Sequence, residues 1–195
     1  GHGLGAVPKM IIFKNLSSGV DWRVYHTTLG NTHRLCLNDN SASNNDDSAF
    51  NDTSPTSTLF SVGGSSSTNG SSNSMIAYCF ANVQGFSKMG SYTANGNADG
   101  PFIYTGFKVG WLMVKKSSAA DGWWQITDNK RGSYNQIINP LYANVADTEY
   151  SNTMYAHDFL SNGIKIRGTN GGLNASGASY IYMAFAEAPL VGSNN

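Results

Sequence analysis

Apolar positions in this chain come in short runs fenced by turn residues. Met10-Ile11-Ile12-Phe13, Met75 to Ala81, Trp111-Leu112-Met113-Val114 and Tyr180 to Ala186 are each four to eight residues long and rich in Ile, Val, Tyr and Phe. Runs of that length and make-up predict strands, and no window carries a sustained helical stripe. Gly63-Gly64, Asn69-Gly70, Asn95-Gly96, Asp99-Gly100, Asn162-Gly163 and Gly171-Gly172 punctuate them, and Gly and Asn accept the positive φ of tight hairpins. The expected fold is all-β, an antiparallel β-sandwich. Closing strands as apolar as Ala77 to Ala81 and Ile181 to Ala186 want cover on both faces. That favours one fused sandwich over residues 1–195 rather than two beads.

The runs also repeat. Ser74-Met75-Ile76-Ala77-Tyr78-Cys79-Phe80-Ala81-Asn82 lies over Ser179-Tyr180-Ile181-Tyr182-Met183-Ala184-Phe185-Ala186-Glu187 without a gap, with four identities. Met10 to Lys14 corresponds to Trp111 to Lys115, and Asp21-Trp22-Arg23-Val24 to Gly122-Trp123-Trp124-Gln125-Ile126. A strand is expected near Phe60-Ser61-Val62 in one copy and near Ile164-Lys165-Ile166 in the other. Shared landmarks in one order predict two tandem, pseudo-symmetric β repeats, about 3–85 and 106–189, joined by a connector at 86–105. The segments Asp39 to Pro55 and Gly64 to Ser74 lack any apolar period and read as long loops.

Composition narrows the partners. Twelve Lys+Arg balance twelve Asp+Glu, and only 12% of residues are charged. A neutral chain without a basic run offers no counterion release to nucleic acid and no polybasic attraction to a membrane surface. No apolar stretch approaches the roughly 18 residues of a membrane helix, so a soluble chain without membrane insertion is expected. The chain opens at Gly1-His2 without an initiator methionine, which suggests a piece of a longer polypeptide or a tag scar. Cys36 and Cys79 sit within apolar runs, the setting of free, buried thiols rather than of a disulfide scaffold.

His2 to Ile12, Ala77-Tyr78-Cys79-Phe80-Ala81, Gly90-Ser91-Tyr92-Thr93, Asp99 to Phe107, Asp128 to Arg131 and Leu160-Ser161-Asn162-Gly163 together resemble a domain of unknown function found in tail fibres and other virion proteins of marine phages. The resemblance runs over nearly the whole chain. It implies a lectin-like or jelly-roll-like sandwich in a virion appendage, exposed at an extracellular surface. Its partners would be a host surface glycan or receptor and other virion subunits, and a homo-oligomer fits the same setting. It carries no catalytic residues.

Enzyme chemistry finds little to build on. A glycosidase needs two facing carboxylates, whereas the acidic residues here mostly sit in Asn- and Gly-rich turns that such side chains cap. The four histidines show no paired ligand spacing, so no cofactor and no metal is expected. The stretch Asn44-Asn45-Asp46-Asp47 with Asp52 offers oxygen ligands but no complete calcium-loop motif. Aromatic faces beside Asn, Asp and Gly are what sugars require. Adjacent Trp123 and Trp124 must point to opposite sides of a strand, so one is core and the other is free to meet a ligand. In the connector, Tyr92, Asn95, Asp99 and Tyr104 have the polar-aromatic character of recognition loops. The expected function is non-enzymatic glycan or receptor recognition, with a structural assembly domain as the alternative and a glycan hydrolase further behind.

Overall fold

The computed structural model describes residues 1–132 and 135–189. Its strands form three antiparallel sheets. The first sheet holds β1 (Met10–Asn15), β2 (Arg23–His26), β3 (His33–Cys36), β4 (Asn44–Asn45) and β5 (Met75–Phe80), in the order β4-β3-β2-β1-β5. β6 (Ser87–Thr93), β8 (Val109–Lys116), β9 (Gln125–Asp128), β10 (Leu141–Tyr142) and β13 (Ser179–Ala186) make the second, ordered β10-β9-β8-β13-β6. The third is smaller and comprises β7 (Phe102–Tyr104), β11 (His157–Leu160) and β12 (Gly163–Ile166), with β12 in the middle. Helix is confined to single turns: α1 (Asp47–Phe50), α2 (Ser66–Asn69), α3 (Gly171–Asn174) and a 3-10 turn at Thr153–Tyr155.

Alternation along the strands assigns the layers. Met10, Ile12, Val24 and Leu35 of the first sheet share one core with Met89, Met113, Trp124, Ile181 and Met183 of the second, so the two sheets face each other as a sandwich. Intervening residues point outward and are buried as well. Ile11, Phe13 and Tyr25 pack against Ala49 and Phe50 of α1, while Leu112, Val114, Tyr180 and Tyr182 pack against Ile103, Phe159, Ile164 and Ile166 of the third sheet. Burial on both faces explains why β1, β8 and β13 read as continuous apolar runs instead of alternating ones.

The two large sheets share a register. Met10 pairs with Phe80 and Ile12 with Tyr78, as Trp111 pairs with Phe185 and Met113 with Met183. On the other side Ile12 faces Val24 and Met113 faces Ile126. One strand further, Arg23 opposes Cys36 where Gln125 opposes Tyr142. The halves diverge after that. Ile164-Lys165-Ile166 lies in β12, paired to β7 and β11, but Phe60-Ser61-Val62 is not a strand. Phe60 instead sets its ring edge against Phe13, at 5.3 Å between centroids. The expected strand fails there because pairing partners of the kind that β7 and β11 supply to β12 are not placed beside it. The two polar segments are also less featureless than expected, since α1 and β4 form in one and α2 in the other.

Candidate functional site

The Trp123-Trp124 pair splits as strand alternation requires. Trp124 is 1% exposed, lies in the inter-sheet core and donates its indole N–H across the sandwich to Cys36 O at 2.7 Å. As a ligand contact it is corrected to a core anchor. Trp123 faces the other way, 36% exposed. The backbone around them is pinned: Trp124 N–H donates to Asn144 Oδ1 at 3.0 Å, and Ala143 N–H donates to Trp124 O at 3.0 Å.

On the outer face of β9, Trp123 and Gln125 line a cavity of about 210 Å³ with Asp121, Tyr142, Tyr155, Asn170 and Gly172. Tyr142 arrives there as the cross-strand partner of Gln125. The Trp123 and Tyr142 rings meet edge to face at 5.0 Å, and Tyr142 meets Tyr155 in the same manner at 6.4 Å. Tyr142 Oη and Tyr150 Oη share a hydrogen bond of 2.8 Å. Burial raises the pKa of both phenols, so they stay neutral; of the two, Tyr142 lines the cavity. Asn170 caps α3 by accepting the Gly172 N–H on Oδ1 at 2.7 Å, which fixes the amide plane and leaves Nδ2 as a donor.

Gln125 is the unusual member. It is 3% exposed, and its Oε1 is buried without a hydrogen-bond partner. A buried amide oxygen in that state normally finds a donor. At the rim, Asp121 pairs with Lys116 Nζ at 2.8 Å. The hydrogen bond from Lys116 is the main cause that holds its carboxyl below the usual range. Gly122 allows the approach, because a Cβ there would collide with the Lys116 side chain.

The connector residues are not part of this pocket. Tyr92 is buried, stacked on Tyr180 at 5.0 Å, and donates its hydroxyl to Leu173 O at 2.7 Å. It too is corrected from ligand contact to core. Asn95 and Asp99 are exposed in a self-bonded turn, where Asn95 Nδ2 donates to Asp99 O at 3.0 Å and Asp99 pairs with Lys165 at 2.6 Å. Tyr104 is 63% exposed and lines a separate depression of about 320 Å³ with Lys88 and Gln84. Of the residues singled out in the sequence, only Trp123 belongs to the aromatic pocket. Period-two alternation from Trp123 places Gln125 on its face, but the non-local partners Tyr142, Tyr155 and Asn170 left no sequence signal.

Other chemistry is tied up. Asp21, Asp46, Asp128 and Asp158 are each salt-bridged to an arginine. Among the described residues no group of three or more His, Cys, Asp or Glu is placed to hold a metal ion. Asp47 and Asp52 border an open depression, while Asp46 bonds Arg34 and Ser48. Both cysteines are free. Cys36 accepts from Arg23 Nη1 at 2.6 Å and Arg34 Nη1 at 3.0 Å, so it is buried against guanidinium groups rather than in an apolar core. Among the described residues no helix is long and apolar enough to cross a membrane.

A family described as a domain of unknown function (DUF7483) matches residues 1–189. No curated protein matches the chain. No solved structure matches it either.

Proposed function

We propose that this chain, which belongs to the DUF7483 family of domains of unknown function, is a non-enzymatic recognition module that binds a surface glycan in the Trp123 pocket. The observation that carries the reading is the composition of one small cavity: Trp123, Tyr142 and Tyr155 supply aromatic walls, and Gln125, Asn170 and Asp121 supply polar groups among them. Aromatic faces cover sugar C–H surfaces while amides and carboxylates bond hydroxyls. Among the described residues one carboxylate lines the cavity and it is held by Lys116, which supports binding groups rather than an acid–base pair. A virion appendage as the setting draws on the resemblance to phage tail-fibre domains, with a host glycan or receptor and neighbouring virion subunits as partners.

The shared register of the large sheets supports reading residues 3–85 and 106–189 as two copies of one unit within a single domain. On that reading the pocket is a property that the second copy acquired.

The test is a glycan array probed with the folded chain and with Trp123→Ala. Saturable binding that the variant loses is the expected result. No binding to any glycan by protein with a cooperative thermal transition overturns the reading. A second reading, an assembly domain, draws on Phe102 and Tyr104, both exposed on β7 at the edge of its sheet, because exposed apolar edges serve as docking surfaces. It predicts self-association that Tyr104→Lys abolishes in sedimentation velocity.

A further inference from the structure

The corresponding edges of the two large sheets are finished differently. β13 of the second sheet lies between β8 and β6, while β5, its counterpart in register on the first sheet, pairs with β1 alone. Leu16 N–H donates to Ser74 O and Ser117 N–H to Ser179 O, which sets the parity of both ladders. Ile76 and Tyr78 bond β1 as Ile181 and Met183 bond β8, and the intervening residues turn their N–H and C=O groups the other way. On β13 those groups, at Tyr180, Tyr182 and Ala184, meet Tyr92, Gly90 and Lys88 of β6. On β5 they belong to Met75, Ala77 and Cys79, and among the described residues no strand meets them. Side chains record the same difference: Tyr78 is 46% exposed, whereas Met183, in the matching position, is 4% exposed. Nothing blunts this edge, since Met75-Ile76-Ala77-Tyr78-Cys79-Phe80 has no charge, no proline and no bulge.

The space beside the edge is one strand wide. Phe80 and Phe185 meet across the sandwich at 6.2 Å between ring centroids, so β5 lies over β13, and β6, one place further out, reaches past β5. There a cavity of about 370 Å³ has Cys79 and Phe80 of the first sheet and Ser87, Met89 and Phe185 of the second in its wall. A second copy docked edge to edge on β5 collides with β6, because in that twofold arrangement its own β13 takes the place of β6. A single extended segment meets no such obstacle: at about 4.8 Å from β5 it covers β6 as β5 covers β13. We infer that β5 is the acceptor for one added antiparallel strand, an extended segment of another polypeptide that is apolar on the face turned to β6. Its backbone bonds Met75, Ala77 and Cys79, and its side chain opposite Phe80 enters the cavity. The site shares no residue with the Trp123 pocket and does not depend on the glycan reading.

The experiment is amide hydrogen exchange by NMR on the whole chain, alone and with capped peptides. In the chain alone, exchange should alternate along β5, about tenfold or more faster at Met75, Ala77 and Cys79 than at Ile76 and Tyr78, while Ile181 to Ala184 of β13 are all slow. The probes are a peptide copying Ser87–Thr93 and the same peptide with leucine in place of its first serine, the residue that stands opposite Phe80 in the register of β6 on β13. The leucine peptide is expected to bind about tenfold more tightly and to slow exchange at Met75, Ala77 and Cys79. N-methylation at the positions copying Lys88 and Gly90, whose N–H groups aim at β5, should abolish binding; at those copying Met89 and Ser91 it should not. Slow exchange along all of β5 without peptide overturns the free edge. Slowing that grows with the concentration of the chain makes a second copy the donor and overturns the separate partner. Binding indifferent to which positions are methylated, or no saturable binding of either peptide, overturns strand addition. None of these outcomes bears on sugar binding at Trp123.

Discussion

The outer face of the first sheet at Asp21, Arg23 and Cys36 and that of the second at Trp123, Gln125 and Tyr142 occupy the same register position, yet they solve it in opposite ways. Arg23 opposes Cys36 across β2 and β3 as Gln125 opposes Tyr142 across β9 and β10. In the first sheet Arg23 Nη1 bonds Asp21 at 2.9 Å and Cys36 Sγ at 2.6 Å, while Asn38 also donates to Asp21 at 2.9 Å. Charge and hydrogen bonds fill that position, although Arg23 Nε itself is buried without a partner. In the second sheet, aromatic rings stand around an amide oxygen that has no partner. One backbone arrangement thus carries an ion pair and its hydrogen bonds in one sheet and an aromatic-lined cavity in the other, and each keeps one buried polar atom without a partner, Arg23 Nε and Gln125 Oε1. What differs is the surroundings: a charged pair fills the space around Arg23, and aromatic rings leave a cavity beside Gln125.

The inner faces are more alike, and breaking them measures how far the likeness extends. Trp22 and Trp124 hold corresponding positions: each N–H donates to an asparagine side chain, Asn38 at 2.9 Å and Asn144 at 3.0 Å. Trp124 is fully buried with its indole bonded to Cys36 O, whereas Trp22 is half-buried at the margin of the same core. Trp124→Ala should cost about 3–5 kcal/mol. Trp22→Ala should cost roughly half that, in proportion to its burial. Urea denaturation with a common m-value checks both; equal losses would mean that the sandwich leans on its two tryptophans alike.

Acid should reveal a second contrast that the sheets share. His26 on β2 and His157 on β11 are buried, and burial pushes each pKa from 6.5 down to about 4. Between those values the unfolded chain binds more protons than the folded one, so stability rises with pH from about 4 to 6.5 and is fully present above that range. Each histidine accounts for about 3 kcal/mol over that window. His157 is bonded at both ring nitrogens, to Thr127 at 2.9 Å and Tyr155 O at 3.0 Å, while His26 Nε2 has no partner. Replacing either by Gln should flatten the acid limb of a stability profile taken by chemical denaturation at stepped pH. A profile unchanged by His157→Gln would refute its burial as a neutral ring.

A third comparison lies in the turns that precede the closing strands. Asn69 and Asn174 each donate to the carbonyl of a glycine, Gly63 and Gly168, at 2.9 and 2.8 Å. A Cβ on either glycine would collide with a backbone carbonyl. Asn174 does more, since it accepts from Asn95 and Gly96 N–H and donates to Asn97 O, clamping the connector turn. It is fully buried and Asn69 is exposed. Asn174→Ala should therefore cost about 2–3 kcal/mol and Asn69→Ala under about 1. Faster amide exchange at residues 95–97 in the first variant alone is the accompanying readout.

Much of this frame was legible in the sequence, because apolar runs buried on both faces and Gly-Asn punctuation are local signals. Alternation foretold that one of Trp123 and Trp124 is core. What escaped was non-local. Tyr142 sits in a strand of two residues that no periodicity can mark, and it meets Gln125 only through sheet pairing. Tyr92 carries the composition of a recognition loop, yet β13 places Tyr180 against it and removes it from the surface. Phe60-Ser61-Val62 has the pattern of a strand but no neighbour to pair with, so local pattern misled where tertiary context decided.

The smallest predicted effects discriminate the two outer faces most sharply, because they differ in sign. Arg23→Leu removes one of the two side-chain donors to Asp21 and one of the two to Cys36, and should destabilise the chain by about 1 kcal/mol, moderated by the exposure of Asp21. Gln125→Leu removes an oxygen that is buried without a partner. It should leave stability unchanged or raise it by up to about 1 kcal/mol, since the desolvation of the amide is relieved and no hydrogen bond is lost from that oxygen. Thermal melts of the two variants side by side decide the matter. A drop for Gln125→Leu equal to that for Arg23→Leu would mean that the amide already has a structural partner. A rise would mark Gln125 as a residue that the fold tolerates rather than needs.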